Sequence, residues 1–347
     1  MPTNERKVQT SEWQSELVLA RDIIGERGQL VLPRKTVLTQ AQLTRLKQLG
    51  ILEVWVREID PVVAPLFNDV IVQVYEEAAI CVEDLFAQAS AARQLDLADM
   101  PDVLQQFWCV CKEETNFLNL ILNLRTLDDY TFQHSLGVGL LSAQIGEWMG
   151  LTEEQCDELL LAGTLHDIGK SLVDQDVLLK PDRLTPEEYE HIKAHTTLGY
   201  MVLRNSEVRE AVALTALNHH ERLDGSGYPR GLRRGEIDLY SRIVAVSDVF
   251  NAMTSRRVYR DAASYYRVLD ELLSDSYGAL DPEVVLVFAR HMAGFFVGNV
   301  VRLTDGSTGK VVMIPKDRPT RPLLMTEAGV VDLQKHPELF IEKVLEV

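Results

Sequence analysis

The stretch LAGTLHDIGK closes an apolar run with two adjacent ionisable side chains, His166 and Asp167, followed at once by Gly169 and Lys170. The apolar run has the character of a buried helix. Burying a carboxylate without a partner is costly, so natural cores avoid it unless a counter-charge or a metal compensates. The segment therefore predicts that partners for Asp167 lie elsewhere in the chain.

Three further segments of the helical middle of the chain carry ionisable groups in apolar surroundings. REAVALTALN is followed directly by His219 and His220. Asp248 lies within RIVAVSDVFNAMT, whose only basic residue is Arg242 at its far edge. His134 precedes apolar residues that share one face of a predicted helix, which directs its imidazole to the buried side. These groups need one another, and a divalent cation is the simplest way to bring them together.

Six of the eight histidines lie between positions 134 and 220, so a shared site is the natural interpretation of the cluster. The candidate ligands, five imidazoles and two carboxylates, are His134, His166, Asp167, His195, His219, His220 and Asp248. One four-coordinate metal cannot use seven ligands, and the chain has too few cysteines for a structural zinc cluster. Two metals that share a bridging carboxylate can use all seven and leave positions for water and substrate. The mixed donors suit iron, manganese, nickel or zinc and disfavour magnesium or calcium.

Composition narrows the class of protein. The chain has 347 residues, of which 46% are hydrophobic, and a formal net charge of −17, which argues against duplex nucleic acid or an anionic membrane as the main partner. It has no run of 18 or more apolar residues and no apolar signal-peptide core near its start, so we expect a cytoplasmic protein. The four cysteines form no CxxC pair and are expected to be small buried thiols.

The pattern of the chain changes several times. Residues 14–57 predict strand, turn, strand, helix and strand, which is a small α/β unit. Apolar residues at helical spacing dominate about 66–125, and helix follows helix from about 126 to 296. The last fifty residues return to short β-type runs separated by Gly, Pro and Asp turns.

The motifs HDIGK, HHERLDGSGYPRGL and VSDVFNAMTSRRVYR together resemble the HD-GYP family. This is the branch of the HD phosphohydrolase superfamily that hydrolyses cyclic dinucleotides, chiefly cyclic di-GMP. A bare HD pair also occurs in triphosphohydrolases and alarmone hydrolases. His195, the His219–His220 pair and the tripeptide Gly227-Tyr228-Pro229 separate this branch from those. The resemblance spans about residues 126–296, roughly half of the chain.

The resemblance implies a role for each ligand. His134, His166 and Asp248 would hold one metal, His195, His219 and His220 the other, and Asp167 would bridge them. A hydroxide between two such metals is a strong nucleophile at neutral pH, suited to attack on a phosphodiester. Lys170 would bind the scissile phosphate, and Arg257 and Arg260 would contact the phosphates of the substrate.

The implied activity is metal-dependent hydrolysis of cyclic di-GMP to linear pGpG and onward to GMP. Cyclic GMP-AMP as the substrate, and a sensor that binds a cyclic dinucleotide without cutting it, remain the alternatives. The complete ligand set favours the enzyme, because a receptor does not need an intact dinuclear site. A homodimer and signalling protein partners are left open, as is base preference.

The expected fold is mainly α, with four parts: a small α/β domain at 1–65, a helical connector at 66–125, a helical HD-type catalytic domain at 126–296 and a β-rich extension at 297–347. One departure concerns the metal count. Some members of the family carry a glutamate four residues before the first motif histidine, where it helps to hold a third metal. Here that position is Tyr130, a poor ligand at neutral pH. Asp128 and Asp129 point elsewhere on a helix, so we expect two metals.

Overall fold

The computed structural model describes most of the chain after residue 68 and parts of it before. The described residues are 5–9, 17–19, 23–24, 30–32, 46, 51, 53–58, 69–91, 94–112, 117, 120–121, 130–178, 180, 182, 184–206, 208–255, 262–275 and 279–346. Two compact units divide at Asn68, one covering residues 1–68 and the other 69–347. The finer division at residues 125 and 296 stays a prediction.

The first unit contains two small antiparallel sheets. Strand β5 (Glu53–Glu58) is central in one sheet, between β1 (Glu5–Gln9) and β2 (Leu17–Leu19). Strands β3 (Ile23–Ile24) and β4 (Leu30–Leu32) pair with each other. The three predicted strands each contain a described strand, whereas β1 was not predicted, because ERKVQ lacks an apolar alternation. Of the predicted helix, only the buried helical residue Leu46 is described.

The second unit begins with a helical pair, α1 (Asp69–Ser90) and α2 (Met100–Lys112), which pack against each other. The buried face of α2 comprises Met100, Leu104, Phe107, Trp108 and Cys111, at helical three- and four-residue spacing. Cys109 lies off this face and is exposed, and Cys81 is only half-buried, so the prediction that all four cysteines are buried holds for Cys111 and Cys156 alone. All four are free thiols.

Helices dominate the centre of the second unit. In chain order they are α3 (Tyr130–Trp148), α4 (Glu153–Leu165), a 3-10 helix (Ile168–Leu172), α5 (Gln175–Leu178), α6 (Pro186–Arg204), α7 (Glu210–Asn218), α8 (Leu239–Ser255), α9 (Ala262–Asp275) and α10 (Pro282–Gly294). Thr152 and Thr185 each close a capping box, which fixes the starts of α4 and α6. Among the described residues, none of the helices is long and apolar enough to cross a bilayer.

Glycines let α3 and α4 approach unusually closely. A Cβ built on Gly163 would lie 2.9 Å from the Cα of Gly139, and one on Gly139 would lie 2.3 Å from Thr164 Oγ1. A larger side chain at either position would therefore force the backbones apart. This contact sets how near the start of α3 comes to the end of α4, where two of the predicted ligands lie.

The chain ends in a five-stranded antiparallel sheet. Its strand order is β10-β6-β7-β8-β9, with β6 (Val300–Leu303), β7 (Thr308–Met313), β8 (Leu323–Thr326), β9 (Gly329–Asp332) and β10 (Ile341–Glu346). Val301, Leu303, Val311 and Leu324 are buried at alternating strand positions. The predicted mainly helical chain with a β-rich end is confirmed.

Candidate metal centre

The seven predicted ligands lie in or beside six helical elements, some at helix ends and some in helix interiors. His166 caps the end of α4, Asp167 precedes the 3-10 helix, and His219 caps the end of α7 with His220 next to it. The remaining three ligands lie within helices: His134 near the start of α3, His195 in the middle of α6, and Asp248 in α8. The apolar residues of α4 and α7 pack into the core, and the ligands that follow them, His166, Asp167 and His219, are buried.

The structure brings all seven side chains together in two adjoining groups, each with its ligand atoms within 4.8 Å of one another. The first group is His134, His166 and Asp248, and the second is Asp167, His195, His219 and His220. His134 Nε2 lies 3.2 Å from Asp248 Oδ1, and the rings of His195 and His220 lie 5.2 Å apart. Residues separated by more than a hundred positions therefore share one site.

Asp167 lies between the two groups, with one carboxylate oxygen toward each. Oδ2 lies 3.2 Å from His166 Nε2 and 3.8 Å from His134 Nε2. Oδ1 lies 3.4 Å from His195 Nε2 and 3.8 Å from His219 Nε2. A carboxylate that presents its two oxygens to two sets of imidazoles has the arrangement of a bridging ligand.

Hydrogen bonds on the far side of the ring fix which nitrogen three of the imidazoles present. Nδ1 of His166 lies 2.7 Å from Gly163 O, and Nδ1 of His195 lies 2.7 Å from Ile192 O. Nδ1 of His219 lies 3.0 Å from a helix carbonyl as well. A carbonyl can only accept, so each of these Nδ1 atoms carries a proton, and in the neutral ring Nε2 presents a lone pair to the centre.

Several acceptor atoms consequently face one another in the interior. The Nε2 atoms of His195 and His219 are 3.3 Å apart, and Nε2 of His166 and Oδ1 of Asp167 are buried with no hydrogen-bond partner. Acceptors cannot hydrogen-bond to one another, and their burial without compensation is costly. A cation relieves this arrangement, so the residues fit divalent metals with nitrogen and oxygen ligands.

Burial holds several of the imidazoles in the neutral form that binds metals. It lowers the pKa of His195, lowers that of His219 well below its usual range, and lowers that of His220 to about 3. Neutral imidazole and ionised carboxylate are the ligand forms that transition metals require. The protonation states of the second group are thus suited to metal before any metal binds.

Lys170 lies at the edge of the centre and donates a hydrogen bond to Asp167 Oδ2. Burial would raise the pKa of Asp167, but the neighbouring His166 ring and Lys170 ammonium outweigh it and hold this pKa well below its usual range. The Lys170 side chain is 32% exposed, so its ammonium is reachable from solvent while it contacts a ligand. Arg257 and Arg260, the other predicted substrate contacts, lie outside the described residues.

Gly169 explains how the 3-10 helix can lie so close to α6. A Cβ at this position would lie 2.0 Å from His195 O and 2.5 Å from Gly199 N, both of them backbone atoms. Only glycine permits that approach without moving one of the two elements. The contact places Asp167, two residues earlier, beside the ligand His195.

The loop after the paired histidines is organised around Glu221, which the sequence analysis did not single out. Its buried carboxylate accepts hydrogen bonds from Arg230 N at 2.7 Å and Leu232 N at 2.8 Å. The available signal was a glutamate directly after the paired histidines. Gly225 has the positive φ expected of a turn, +83°. Gly227 has another role, because a Cβ there would lie 2.4 Å from Arg222 N.

Tyr228 covers one side of the centre. Its ring lies 4.6 Å from the ring of His220, and Lys193 Nζ lies 5.5 Å from its centroid. Tyr189, which is partly exposed, meets Tyr228 edge to face. The side chains of Tyr228, Tyr189 and Lys193 form a wall next to the second group of ligands.

The histidines outside the predicted ligand set, His191, His291 and His336, are all exposed.

Comparison with known proteins agrees with this architecture. A family model described as HD domain matches residues 119–284. A cyclic di-GMP phosphodiesterase of Thermotoga maritima is 44% identical over 180 residues, covering 51% of this chain and 48% of the relative. A cyclic di-GMP phosphodiesterase of Pseudomonas aeruginosa is 31% identical over 302 residues, covering 79% of this chain and 73% of the relative. This chain therefore spans about half the length of the first relative and nearly three quarters of the second.

Two further similarities bear on substrate and fold. A 3'3'-cGAMP-specific phosphodiesterase of Vibrio cholerae is 41% identical over 168 residues, covering 48% of this chain and 39% of the relative. The structure of an HDG"Y"P protein from Bdellovibrio bacteriovorus matches with a TM-score of 0.55 at 15% identity, covering 82% of this chain and 98% of that chain. The similarity to the Bdellovibrio bacteriovorus structure shows that the two chains share a fold. With the paired histidines, the following Gly-Tyr-Pro and a relative matched over most of both chains, this chain belongs to the HD-GYP family of HD-domain proteins.

Proposed function

We propose that this chain is a metal-dependent phosphodiesterase that hydrolyses cyclic di-GMP to linear pGpG and onward to GMP. The observation that carries the proposal is the position of Asp167, whose two oxygens face two separate sets of imidazole Nε2 atoms. Two of the similar proteins are named cyclic di-GMP phosphodiesterases, which supports the substrate. Two divalent metals, iron or manganese by the donor types, are the proposed cofactors.

In this proposal His134, His166 and Asp248 would hold one metal, His195, His219 and His220 would hold the other, and Asp167 would contribute to both. When bound, such a pair supplies Lewis acidity and an activated water. The protein positions these seven ligands, and the carbonyls behind the His166, His195 and His219 rings keep the Nε2 atoms of these three rings aimed inward. We assign the catalytic domain to residues 126–296, with 1–65, 66–125 and 297–347 as accessory parts.

The reaction itself is a simple displacement. The oxygen of one water forms a bond to phosphorus, the bond from phosphorus to the 3′ oxygen of the ribose breaks, and that oxygen leaves with a proton. Lys170 is proposed to bind the attacked phosphate, and the solvent accessibility of its ammonium and its contact with Asp167 support this role. Arg257 and Arg260 are proposed to hold the more distant phosphate.

A second candidate substrate is 3'3'-cyclic GMP-AMP. The specific observation in its favour is the Vibrio cholerae relative, which is named for that nucleotide and is 41% identical over 168 residues. Both substrates present the same phosphodiester to the same ligands. They differ only in one purine base, so the choice between them depends on contacts away from the metals.

In the decisive experiment the protein is first reconstituted anaerobically with Fe²⁺ or Mn²⁺. It is then incubated in parallel with cyclic di-GMP, with 3'3'-cyclic GMP-AMP and with linear pGpG. Products are separated by ion-exchange chromatography. We expect cyclic di-GMP to be consumed fastest, with pGpG and then GMP appearing, and chelation to stop the reaction. The His219→Ala variant should be inactive, and His336→Ala, which alters an exposed histidine, should match the unmodified protein. Binding without cleavage under every metal condition would indicate a sensor instead.

A further inference from the structure

The histidines of the centre differ in what holds the far side of the ring. Where Nδ1 contacts a main-chain carbonyl, the carbonyl belongs to a residue three or four positions earlier in the chain, as for His166, His195 and His219. The support for His134 is a side chain instead. Nδ1 of His134 lies 3.4 Å from Oδ1 of Asn251, a residue 117 positions later in the chain.

Asn251 is built firmly into the core next to the first group of ligands. It lies on α8 three positions after Asp248, so the two side chains leave the same region of that helix. Asn251 is only 2% exposed. One helix thus provides both a proposed metal ligand and the support for a second ligand on another helix.

Packing against α3 restricts the Asn251 amide. A Cβ built on Gly137 would lie 2.4 Å from Asn251 Nδ2, so the backbone of α3 lies directly against the amide group. Gly137 is three positions after His134 on the same helix. The absence of a side chain at Gly137 therefore makes the space in which Asn251 reaches His134.

We propose that Asn251 is a positioning residue for the first metal: its amide oxygen accepts a hydrogen bond from Nδ1–H of His134 and so directs the Nε2 lone pair toward the metal held with Asp248. The inference rests on the metal centre of the proposed function. Outer partners of metal-binding histidines fix the tautomer and ring orientation, and losing one typically lowers metal affinity by about 10- to 100-fold. A side-chain substitution cannot remove a main-chain carbonyl, whereas a substitution of Asn251 removes or changes the group that contacts His134.

The test is a metal titration of the full-length apoprotein with Mn²⁺, with free ion measured by electron paramagnetic resonance and no substrate present. In N251A, one of the two sites should weaken by about 10- to 100-fold while the other stays unchanged. In N251D the acceptor oxygen is kept and gains charge, so both sites should bind at least as tightly as in the unmodified protein. A matched control is S247A, since Ser247 is a buried polar residue of α8 that accepts a hydrogen bond from Ser142 Oγ at 3.0 Å. It should leave both sites unchanged.

Each outcome bears on the inference. Unchanged affinities in N251A, or an equal loss at both sites, would overturn it, as would a loss in N251D as large as that in N251A. Should N251A fail to fold by circular dichroism, N251D decides alone, and a tenfold loss at either site would be contrary. The titration involves no turnover, so a chain that binds two metals yet cleaves no cyclic dinucleotide would contradict the proposed function and leave the role of Asn251 intact.

Discussion

The two groups of ligands differ in what holds their side chains in place. In the second group the side chains of His195 and His219 are 1% and 0% exposed, and helix carbonyls support both rings, while His220 is half-buried. In the first group a helix carbonyl supports buried His166 in the same way, but His134 and Asp248 are 18% and 13% exposed, and an amide side chain supports His134. Local backbone thus preorganises most of the second group, whereas the His134–Asp248 pair of the first group depends on how α3 and α8 pack.

The largest effect should come from the residue that the two groups share. Asp167→Asn keeps the shape of the side chain but removes its charge and one acceptor oxygen. We expect both metals to be lost and hydrolysis to fall by more than about 10²-fold, the upper range for loss of an outer partner. Elemental analysis and turnover measure the effect, with circular dichroism to confirm the helices. Full metal content with near-normal turnover would refute the bridge.

Single-ligand variants separate the two groups. His134→Ala should remove the first metal and His219→Ala the second, so each variant should retain about one metal equivalent, because the other group keeps its own ligands and Asp167. Elemental analysis after gel filtration measures the retained metal. His291→Ala is the control, since that ring is exposed and stacks on Trp148 away from the ligands. Loss of both metals from either variant would show that the groups do not fill separately.

A backbone variant tests whether close packing positions the second group. Gly169→Ala adds a Cβ where the backbone of His195 lies 2.0 Å away, so the 3-10 helix must move. We expect the free energy of unfolding to fall by about 1–3 kcal/mol and metal at the second group to weaken more than metal at the first. Urea denaturation and metal titration measure the two effects.

Gly235→Ala is the matched control, because a Cβ there meets nothing within 4 Å. It should change the free energy of unfolding by less than about 0.5 kcal/mol. Gly169→Ala behaving like this control would mean that the approach of the 3-10 helix to α6 does not position the second group.

The smallest effect on the centre should come from the cations around it. Lys170→Met should leave both metals bound and lower kcat, because the lost contact is to the phosphate under attack. Arg257→Ala and Arg260→Ala should chiefly raise KM, as expected for contacts made equally in the ground state and the transition state. Steady-state kinetics with metal analysis distinguishes these outcomes. Unchanged kcat and KM in both arginine variants would show that neither side chain contacts the substrate.

Much of the site could be predicted because its ligands have local signatures. His166 and Asp167, and His219 and His220, stand at the ends of apolar runs where ionisable groups are unfavourable without a partner. The mainly helical middle and the β-rich end follow from hydrophobic periodicity. Strand β1 could not be predicted in the same way, since ERKVQ gains its structure from pairing with β5.

The sequence by itself determined which residues are chemically unusual and on what kind of element each lies, because helix periodicity and burial act over a few neighbours. Only the tertiary structure decided which oxygen of Asp167 faces which imidazole, why Gly169 must be glycine and that Asn251 supports His134. Those contacts join helices far apart in the chain. Their distances depend on how backbones pack at a few glycines, and local spacing carries no information about that packing.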